Sequence, residues 1–505
     1  MASDARLRAL LVVMCTALGL IIGSGASLSV ALPSIAAALG ASQLELSYVV
    51  NGYALVFAGL LLPIGLAADR YSRRGFLVAG LIVFGTATLA SGFANDVAVL
   101  IGLRGLAGLG AAAVMPATLS VLVDAYPPER RTFAVSVWAG VSGAASILGI
   151  VLCGVLLELF WWGSIQVVLG GAALVVAVPA LVLTPSSRNP DLPLDPSGGV
   201  LAFLGLSGVV LGVIEGPERG WTTPTTLFAL GVGLLGLVAF VVVEARSAHP
   251  LLDVRLFRRP GLALGSSLVL LQFVAAMAVF FLVPQFLQFV TALSALGAAL
   301  SLLPLAVGIV VASGRSPAVM ARFGAARIAS AGMAMMAVSL LGLGAVGDGA
   351  LYWLLLLLLL FGAGFGTAVT PGTQLIIDGL PEDRRTLSAA VNDVTREVGG
   401  ALGGALAASV LLAVYGLSLS ARELGDDAAA AAGEGVAGAL AAADRLGSEG
   451  AQAVLAAQAS FSAGYSAALY VAAGVLAVGA VLPLILKPER ADTPDVQADP
   501  QPLPG

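Results

Sequence analysis

Asp124-Ala125-Tyr126-Pro127-Pro128-Glu129-Arg130-Arg131-Thr132 returns 254 residues later, without a gap, as Asp378-Gly379-Leu380-Pro381-Glu382-Asp383-Arg384-Arg385-Thr386. The match runs on, with Val137 over Val391 and Gly149 over Gly403. Each copy closes one apolar stretch, turns at a proline, which breaks a helix interior, and starts the next stretch behind a basic pair. Both follow the fourth stretch of a six-stretch unit. Two halves related in this way are the sequence trace of a transporter built from repeats.

Composition agrees with that reading. Of 505 residues, 59% are apolar and 10% charged, where an average soluble chain has roughly 45–50% and about 25%. So few charged side chains cannot cover a soluble enzyme of this size, and disorder needs low hydrophobicity with high net charge. A net charge of −5 supplies no basic field for nucleic acid. Cys15 and Cys153 both lie in apolar runs and read as small buried hydrophobes rather than a disulfide.

Apolar windows of about 20 residues, the length that crosses a ~30 Å hydrocarbon core, fall near 9–32, 47–67, 75–94, 97–123, 132–157, 163–184 and 198–215. Seven more fall near 225–243, 262–286, 294–313, 325–347, 350–376, 387–415 and 462–486. The expected fold is therefore all-α, a polytopic membrane protein of fourteen transmembrane helices. Its expected domains are a six-helix half at 1–185, two additional helices with linkers at 186–260, and a second six-helix half at 261–487. An external loop is expected at 416–461, either short Ala-rich helices on the membrane surface or a linker, and a disordered tail at 488–505. The first window is too long for the h-region of a signal peptide and reads as an uncleaved span.

Basic residues mark the cytoplasmic side of membrane proteins. With the N-terminus inside, alternate loops from Arg6 and Arg8 to Lys487 and Arg490 hold 19 of the 24 basic residues. The opposite loops hold only Arg219, Arg422 and Arg445, and Arg104 and Arg396 lie within spans. The bias supports an even number of spans and two cytoplasmic termini.

After the second span comes Gly65-Leu66-Ala67-Ala68-Asp69-Arg70-Tyr71-Ser72-Arg73-Arg74-Gly75. It resembles the G-x-L-A-D-R-x-G-R-R signature of the major facilitator superfamily, with Ser72 where Gly is usual. Further stretches are similar to the fourteen-span drug–proton antiporters of that superfamily, the QacA/EmrB-like group: Ala31-Leu32-Pro33, Tyr48 to Leu55, Leu103-Arg104-Gly105, Asp195 to Gly198, Pro250 to Phe257 and Ala390 to Gly400. The resemblance implies the major facilitator fold, proton-coupled export with no cofactor beyond the proton gradient, and a cytoplasmic gate built on Gly65, Asp69, Arg70, Arg73 and Arg74. It also implies a role for Arg104 in coupling. A buried arginine costs at least ~2.5–3.5 kcal/mol on insertion scales and needs a partner or a water-filled cavity.

The densest polar cluster in any span is Asn392, Asp393, Arg396 and Glu397. Spacings of three and four put Asp393, Arg396 and Glu397 on one helical face. A carboxylate that gains and loses a proton between two access states is what proton coupling requires. One of the two acids is expected to pair with Arg396 and the other to titrate. Tyr53, Gln285, Gln288 and Trp138 are further cavity candidates, and His249, alone in a loop, has no metal-ligand spacing. No phosphate loop with its lysine is present, which excludes ATP-driven transport within this chain.

Two departures from the family pattern bear on cargo. The acid usually found just before Ala-Leu-Pro in the first span is missing, the stretch being Gly23-Ser24-Gly25-Ala26-Ser27. The Gly-Pro motif of the fifth span is replaced by Gly149-Ile150-Val151-Leu152-Cys153-Gly154. The expected function is proton-coupled antiport of hydrophobic, cationic or amphipathic drugs out of a bacterial cell through its cytoplasmic membrane, by a monomer that is not an enzyme. Two alternatives stand beside it: transport of a lipid or a neutral or anionic natural product, and a non-transporting sensor or scaffold with the same fold.

Overall fold

The computed structural model describes residues 4–190, 195–247, 250, 252–346, 351–380, 388–422 and 424–486. His249, Arg384, Arg385, Lys487 and the tail 488–505 lie outside the described residues. The regular structure among the described residues is all helical. The first six long helices are α1 (Asp4–Leu39), α2 (Gln43–Tyr71), α3 (Arg73–Ser91), α4 (Val97–Ala125), α5 (Pro128–Leu159) and α6 (Ser164–Leu183). Then come α7 (Pro196–Arg219), α8 (Pro224–Arg246), α9 (Pro260–Phe289), α10 (Ala295–Ser301), α11 (Leu303–Phe323), α12 (Ala325–Val346), α13 (Leu351–Gly379) and α14 (Ser388–Ser420). Two short helices, α15 (Asp426–Gly433) and α16 (Val436–Leu446), precede α17 (Ser448–Ile485).

Thirteen of these segments are long and apolar enough to cross a membrane, α10 and α11 counting together as Ala295–Phe323. α5 adds the apolar stretch Ala145–Leu159. The chain is a multi-pass membrane protein, and the fourteen expected spans each find a helix. Capping residues set several boundaries: Ser42 and Glu45 form a capping box at the start of α2, and the Asp96 carboxylate accepts the Ala98 and Val99 amides at the start of α4. The tenth span breaks at Leu302, two residues before Pro304, which lacks an amide to continue the ladder.

The region expected as external loop is shorter and better packed than its sequence suggests. α14 runs on to Ser420 and α17 begins at Ser448. Between them α15 and α16 are Ala-rich helices, as one alternative had it, but their Ala428, Ala432, Val436 and Ala439 are buried in protein rather than laid on a membrane surface. The Tyr415 hydroxyl donates to the Ala432 carbonyl at 2.5 Å, tying α15 to α14.

Helix packing repeats. α5 lies on α1, α4 on α2 and α3, and α6 on α3; likewise α14 lies on α9, α13 on α11 and α12, and α17 on α12. Glycines in the register of the duplicated stretch make close backbone approaches in both sets. A methyl group on Gly149 would lie 2.6 Å from the Gly23 carbonyl of α1, and one on Gly403 would strike the Val274 carbonyl of α9. Gly108 and Gly362, again 254 residues apart, stand against the carbonyls of Tyr53 and Leu305. Small residues at such crossings let membrane helices approach closely.

The two sets touch where α2 meets α14, α1 meets α9 and α5 meets α10. α7 wedges against α2 and α14, and α8 packs on α7. At the end of the bundle away from the chain termini one core holds side chains of both sets, Val30 and Leu46 together with Phe286 and Phe461. At the terminal end the apolar core divides into one cluster around Leu77 and Leu122, against which Val394 of α14 packs, and another around Leu262 and Ile376.

Candidate functional site

Between the two sets lies a cavity of about 320 Å³. Its walls are mostly apolar, and its charged lining groups are Arg104, Arg396 and Glu397. Tyr53 and Phe273 line it as well.

Arg104 enters from α4 and is 1% exposed. One terminal nitrogen donates to the Ser24 hydroxyl at 3.4 Å, and the guanidinium lies 4.3 Å from the centre of the Tyr53 ring. Its Nε has no hydrogen-bond partner, and among the described residues Arg104 makes no ion pair. Ser24 sits beside Gly23, at the point where Gly149 brings α5 onto α1. The two departures noted in the sequence thus meet at one place: a serine and a glycine contact stand around a buried arginine.

Arg396 enters from α14. Its guanidinium lies 4.8 Å from the centre of the Phe273 ring and 3.9 Å from Asp393 Oδ1, and its Nε is buried without a partner. Glu397 faces the cavity, whereas Asp393 does not line it. Among the described residues Glu397 has neither a hydrogen bond nor an ion pair. The two acids of the cluster therefore differ in setting: Asp393 forms the ion pair with Arg396, and Glu397 stands on the cavity wall without a hydrogen bond or ion pair.

Asn392, a cavity candidate, instead accepts the Thr373 hydroxyl at 3.2 Å, between α13 and α14. Gln285 and Gln288 also lie away from the cavity. Gln285 accepts from Gln43 Nε2 of α2 at 3.0 Å, and Gln288 donates to the Val30 carbonyl of α1 at 2.9 Å. Both sit near the end of α9, where an amide side chain bridges helices more readily than it meets cargo. Trp138 donates to the Thr118 hydroxyl at 3.1 Å and does not line the cavity. Of the five uncharged groups, Tyr53, Asn392, Gln285, Gln288 and Trp138, Tyr53 alone lines the cavity.

The gate motif stays within the first set. Arg73 pairs with Asp69 and with Asp124 at the end of α4. Ser72 caps α3 by accepting the Gly75 amide at 3.0 Å, so the serine in place of glycine has a structural use. Arg70 lies 5.8 Å from the centre of the Tyr71 ring. Arg74 makes no ion pair among the described residues, and a methyl group on Gly65 would meet Pro116 at an ordinary contact distance. The linker after α6 is stapled to the motif by its backbone, the Asn189 amide donating to the Asp69 carbonyl at 2.8 Å and Arg73 N–H to the Ser187 carbonyl at 3.3 Å.

Three groups of known proteins resemble this chain. The family profile of the Major Facilitator Superfamily matches residues 10–404. The cephamycin export protein CmcT of Amycolatopsis lactamdurans is 35% identical over 431 residues, which cover 81% of this chain and 85% of that protein. The multidrug resistance protein Stp of Mycobacterium tuberculosis is 31% identical over 408 residues, covering 80% and 76%. The multidrug efflux pump LfrA of Mycolicibacterium smegmatis is 30% identical over 465 residues, covering 90% and 91%. In fold the chain is similar to a bacterial homologue of the human lysosomal transporter Spinster, crystallised inward-facing and unoccupied, with a TM-score of 0.72 at 16% identity over 96% of this chain and 99% of that one. With the profile match and these relatives in agreement, the chain belongs to the Major Facilitator Superfamily.

Proposed function

We propose that the protein is a secondary active transporter that exports hydrophobic or amphipathic compounds through the cytoplasmic membrane of a bacterium in exchange for protons. The observation that carries this reading is the cavity itself, apolar and enclosed by helices of both sets, with one unpaired carboxylate on its wall. Relatives 30–35% identical, among them an efflux pump and an export protein, favour export over uptake. Residues 1–185 and 261–487 act as two rocking halves, with 186–260 as added helices. Both termini lie in the cytoplasm, on the side marked by most of the arginines.

On this reading the shared core at the far end closes the external side, and the divided core at the terminal end leaves the cavity on the cytoplasmic branch of the cycle. Glu397 exchanges its proton for cargo, because a carboxylate in an apolar wall binds either a proton or a favourable dipole at low cost, but not empty charge. Asp393 keeps Arg396 in place. Arg73 with Asp69 and Asp124 forms the cytoplasmic latch. The test is transport by the purified protein in proteoliposomes with an imposed pH gradient: flux of a hydrophobic dye should follow the gradient, and flux indifferent to it sinks the coupling claim.

One observation favours a second reading of the cargo. Arg104 faces Ser24 and no acid, so the cavity offers a cation without a countercharge at that end. A neutral or anionic cargo suits such a wall better than a cationic one. Competition among dyes of either charge separates the two: inhibition by anions only supports this cargo class, and inhibition by cations only removes it.

A further inference from the structure

A second cavity lies outside the central one. It encloses about 290 Å³ between the first turns of α9, the start of α14 and the segment joining α8 to α9, and Leu252, Phe257, Ser266, Leu270, Val394 and Val398 are among its walls. The joining segment is firmly built. Glu244, fully buried, accepts the Leu252 amide at 2.9 Å, and Asp253 caps the short 3₁₀ turn Val254–Arg258 through the Arg255 amide at 3.2 Å. Leu252, Leu256 and Phe257 pack inward on the core of Leu262, Ile376 and Val391.

The outer side of the same turn is cationic. Arg255, Arg258 and Arg259 are exposed. Arg255 is taken up by Asp253 at 2.8 Å, while Arg258 and Arg259 make no ion pair among the described residues. Inside the cavity Ser266 is 6% exposed, and its hydroxyl has no hydrogen-bond partner. A buried hydroxyl without an acceptor is costly, and a ligand in the cavity would supply one. Ser266 follows Arg259 by seven residues, so it lies about 10 Å deeper along the helix at 1.5 Å per residue.

We propose that this cavity binds an anionic phospholipid of the surrounding bilayer. An acyl chain fills the apolar space between α9 and α14, an ester carbonyl accepts the Ser266 hydroxyl, and the phosphate lies against Arg258 and Arg259. Charge complementarity selects this occupant: free guanidinium groups at a helix start on the basic face of a membrane protein attract acidic headgroups, and the order from charge to hydroxyl to apolar wall matches the order of groups in a glycerophospholipid. The site is separate from the transport cavity and does not rest on the export reading.

The experiment uses the full-length protein in nanodiscs of equal phosphatidylglycerol and phosphatidylcholine, released into mild detergent, with retained lipid weighed by native mass spectrometry. The wild type should keep phosphatidylglycerol in preference. Arg258→Gln with Arg259→Gln should lower that preference about tenfold, and Ser266→Leu, which fills the cavity, should release the lipid. If Ser266→Leu does not fold, Ser266→Ala tests the same hydroxyl with a smaller loss. Arg422→Gln on the opposite face should change nothing. Equal retention of the two lipids by the wild type, or an unchanged preference in the double variant, overturns the proposal. So does displacement of the lipid by soluble glycerol phosphate, which would make the site one for a free phosphate.

Discussion

Arg104 and Arg396 line one cavity, enter it from different sets of helices, and each lays its guanidinium against an aromatic ring, Tyr53 at 4.3 Å and Phe273 at 4.8 Å. Their countercharges differ. Arg396 has Asp393 at 3.9 Å and Glu397 as its chain neighbour, whereas Arg104 has a serine hydroxyl at 3.4 Å. Nor are the two equivalent by the internal repeat. The position matching Arg104 is Leu358, fully buried, and the position matching Arg396 is Ser142. Gly108 with Gly362 and Gly149 with Gly403 keep their packing roles in both sets. The duplication thus preserves the contacts that hold helices together and discards symmetry in the charged groups. Transport chemistry needs only one titrating carboxylate, but a bundle needs every crossing.

The largest expected effect follows from the carboxylate side of that contrast. Glu397→Gln keeps the size and polarity of the side chain and removes its proton exchange. Gradient-driven flux in proteoliposomes should disappear while binding of a hydrophobic dye to the detergent-solubilised protein persists. Asp393→Asn should slow transport yet leave a response to the pH gradient. If the two variants exchange these phenotypes, the cavity-lining acid is not the coupling group.

The arginines themselves should split stability from activity. Removing one member of a fully buried ion pair costs ~3–5 kcal/mol; Arg396 and Asp393 are partly exposed, with side-chain exposures of 31% and 21%, so Arg396→Met should cost about 1–2 kcal/mol on that scale. Arg104→Met leaves no acid behind, and a buried charge replaced by an apolar group of similar length is often neutral or stabilising. Thermal unfolding should therefore fall for Arg396→Met and hold or rise for Arg104→Met, with transport impaired in both. A drop in melting temperature for Arg104→Met equal to that of Arg396→Met would mean that Arg104 has a countercharge after all.

Much of this was legible in the sequence. Hydropathy windows and the one-sided distribution of arginine located the spans because both are set by the bilayer, whatever the neighbours. The duplicated stretch at Asp124 and Asp378 gave the register that the glycine crossings follow. What the sequence concealed depends on which helices face each other. The missing first-span acid was visible, but not that Ser24 stands opposite Arg104. Gln285 and Gln288 read as cavity groups because polarity in a span suggests cargo, yet helix-to-helix bonds satisfy them equally well. Residues 426–446 read as surface or linker because alanine is weakly hydrophobic; only packing on α17 and α1 buries it.

A gain-of-partner substitution sharpens the same contrast. Ser24→Asp would give Arg104 the acid that its surroundings lack. A hydrogen bond to a charged group contributes about 1.5–3 kcal/mol, part of which is lost to desolvating the new carboxylate. Ser24→Asp should raise the melting temperature of the wild type and lower that of Arg104→Met, where the new acid is itself unpaired. It should also move dye competition toward cations. Additive effects of the two substitutions would show that Ser24 and Arg104 do not interact.

The smallest effect is expected at the latch, where the two sets differ most plainly on their terminal face. Arg73 joins Asp69 to Asp124, while at the matching turn of the second set Ala321 stands in place of Asp69, Ala325 in place of Arg73, and Asp378 is bonded by Gln374 of its own helix at 2.9 Å. Asp124 is 44% exposed and Asp69 30%, and ion pairs that wet contribute about 0–1 kcal/mol. Asp124→Asn should therefore leave the melting temperature nearly unchanged. Its effect should appear in access instead. A single reporter cysteine placed by Ile147→Cys on the cavity wall should be alkylated at a changed rate in the Asp124→Asn background and at the parental rate in Asp378→Asn, since Cys15 and Cys153 are buried and slow to react. Equal rates in both backgrounds would reduce the motif to a topological anchor, and a changed rate in Asp378→Asn alone would put the latch in the other set.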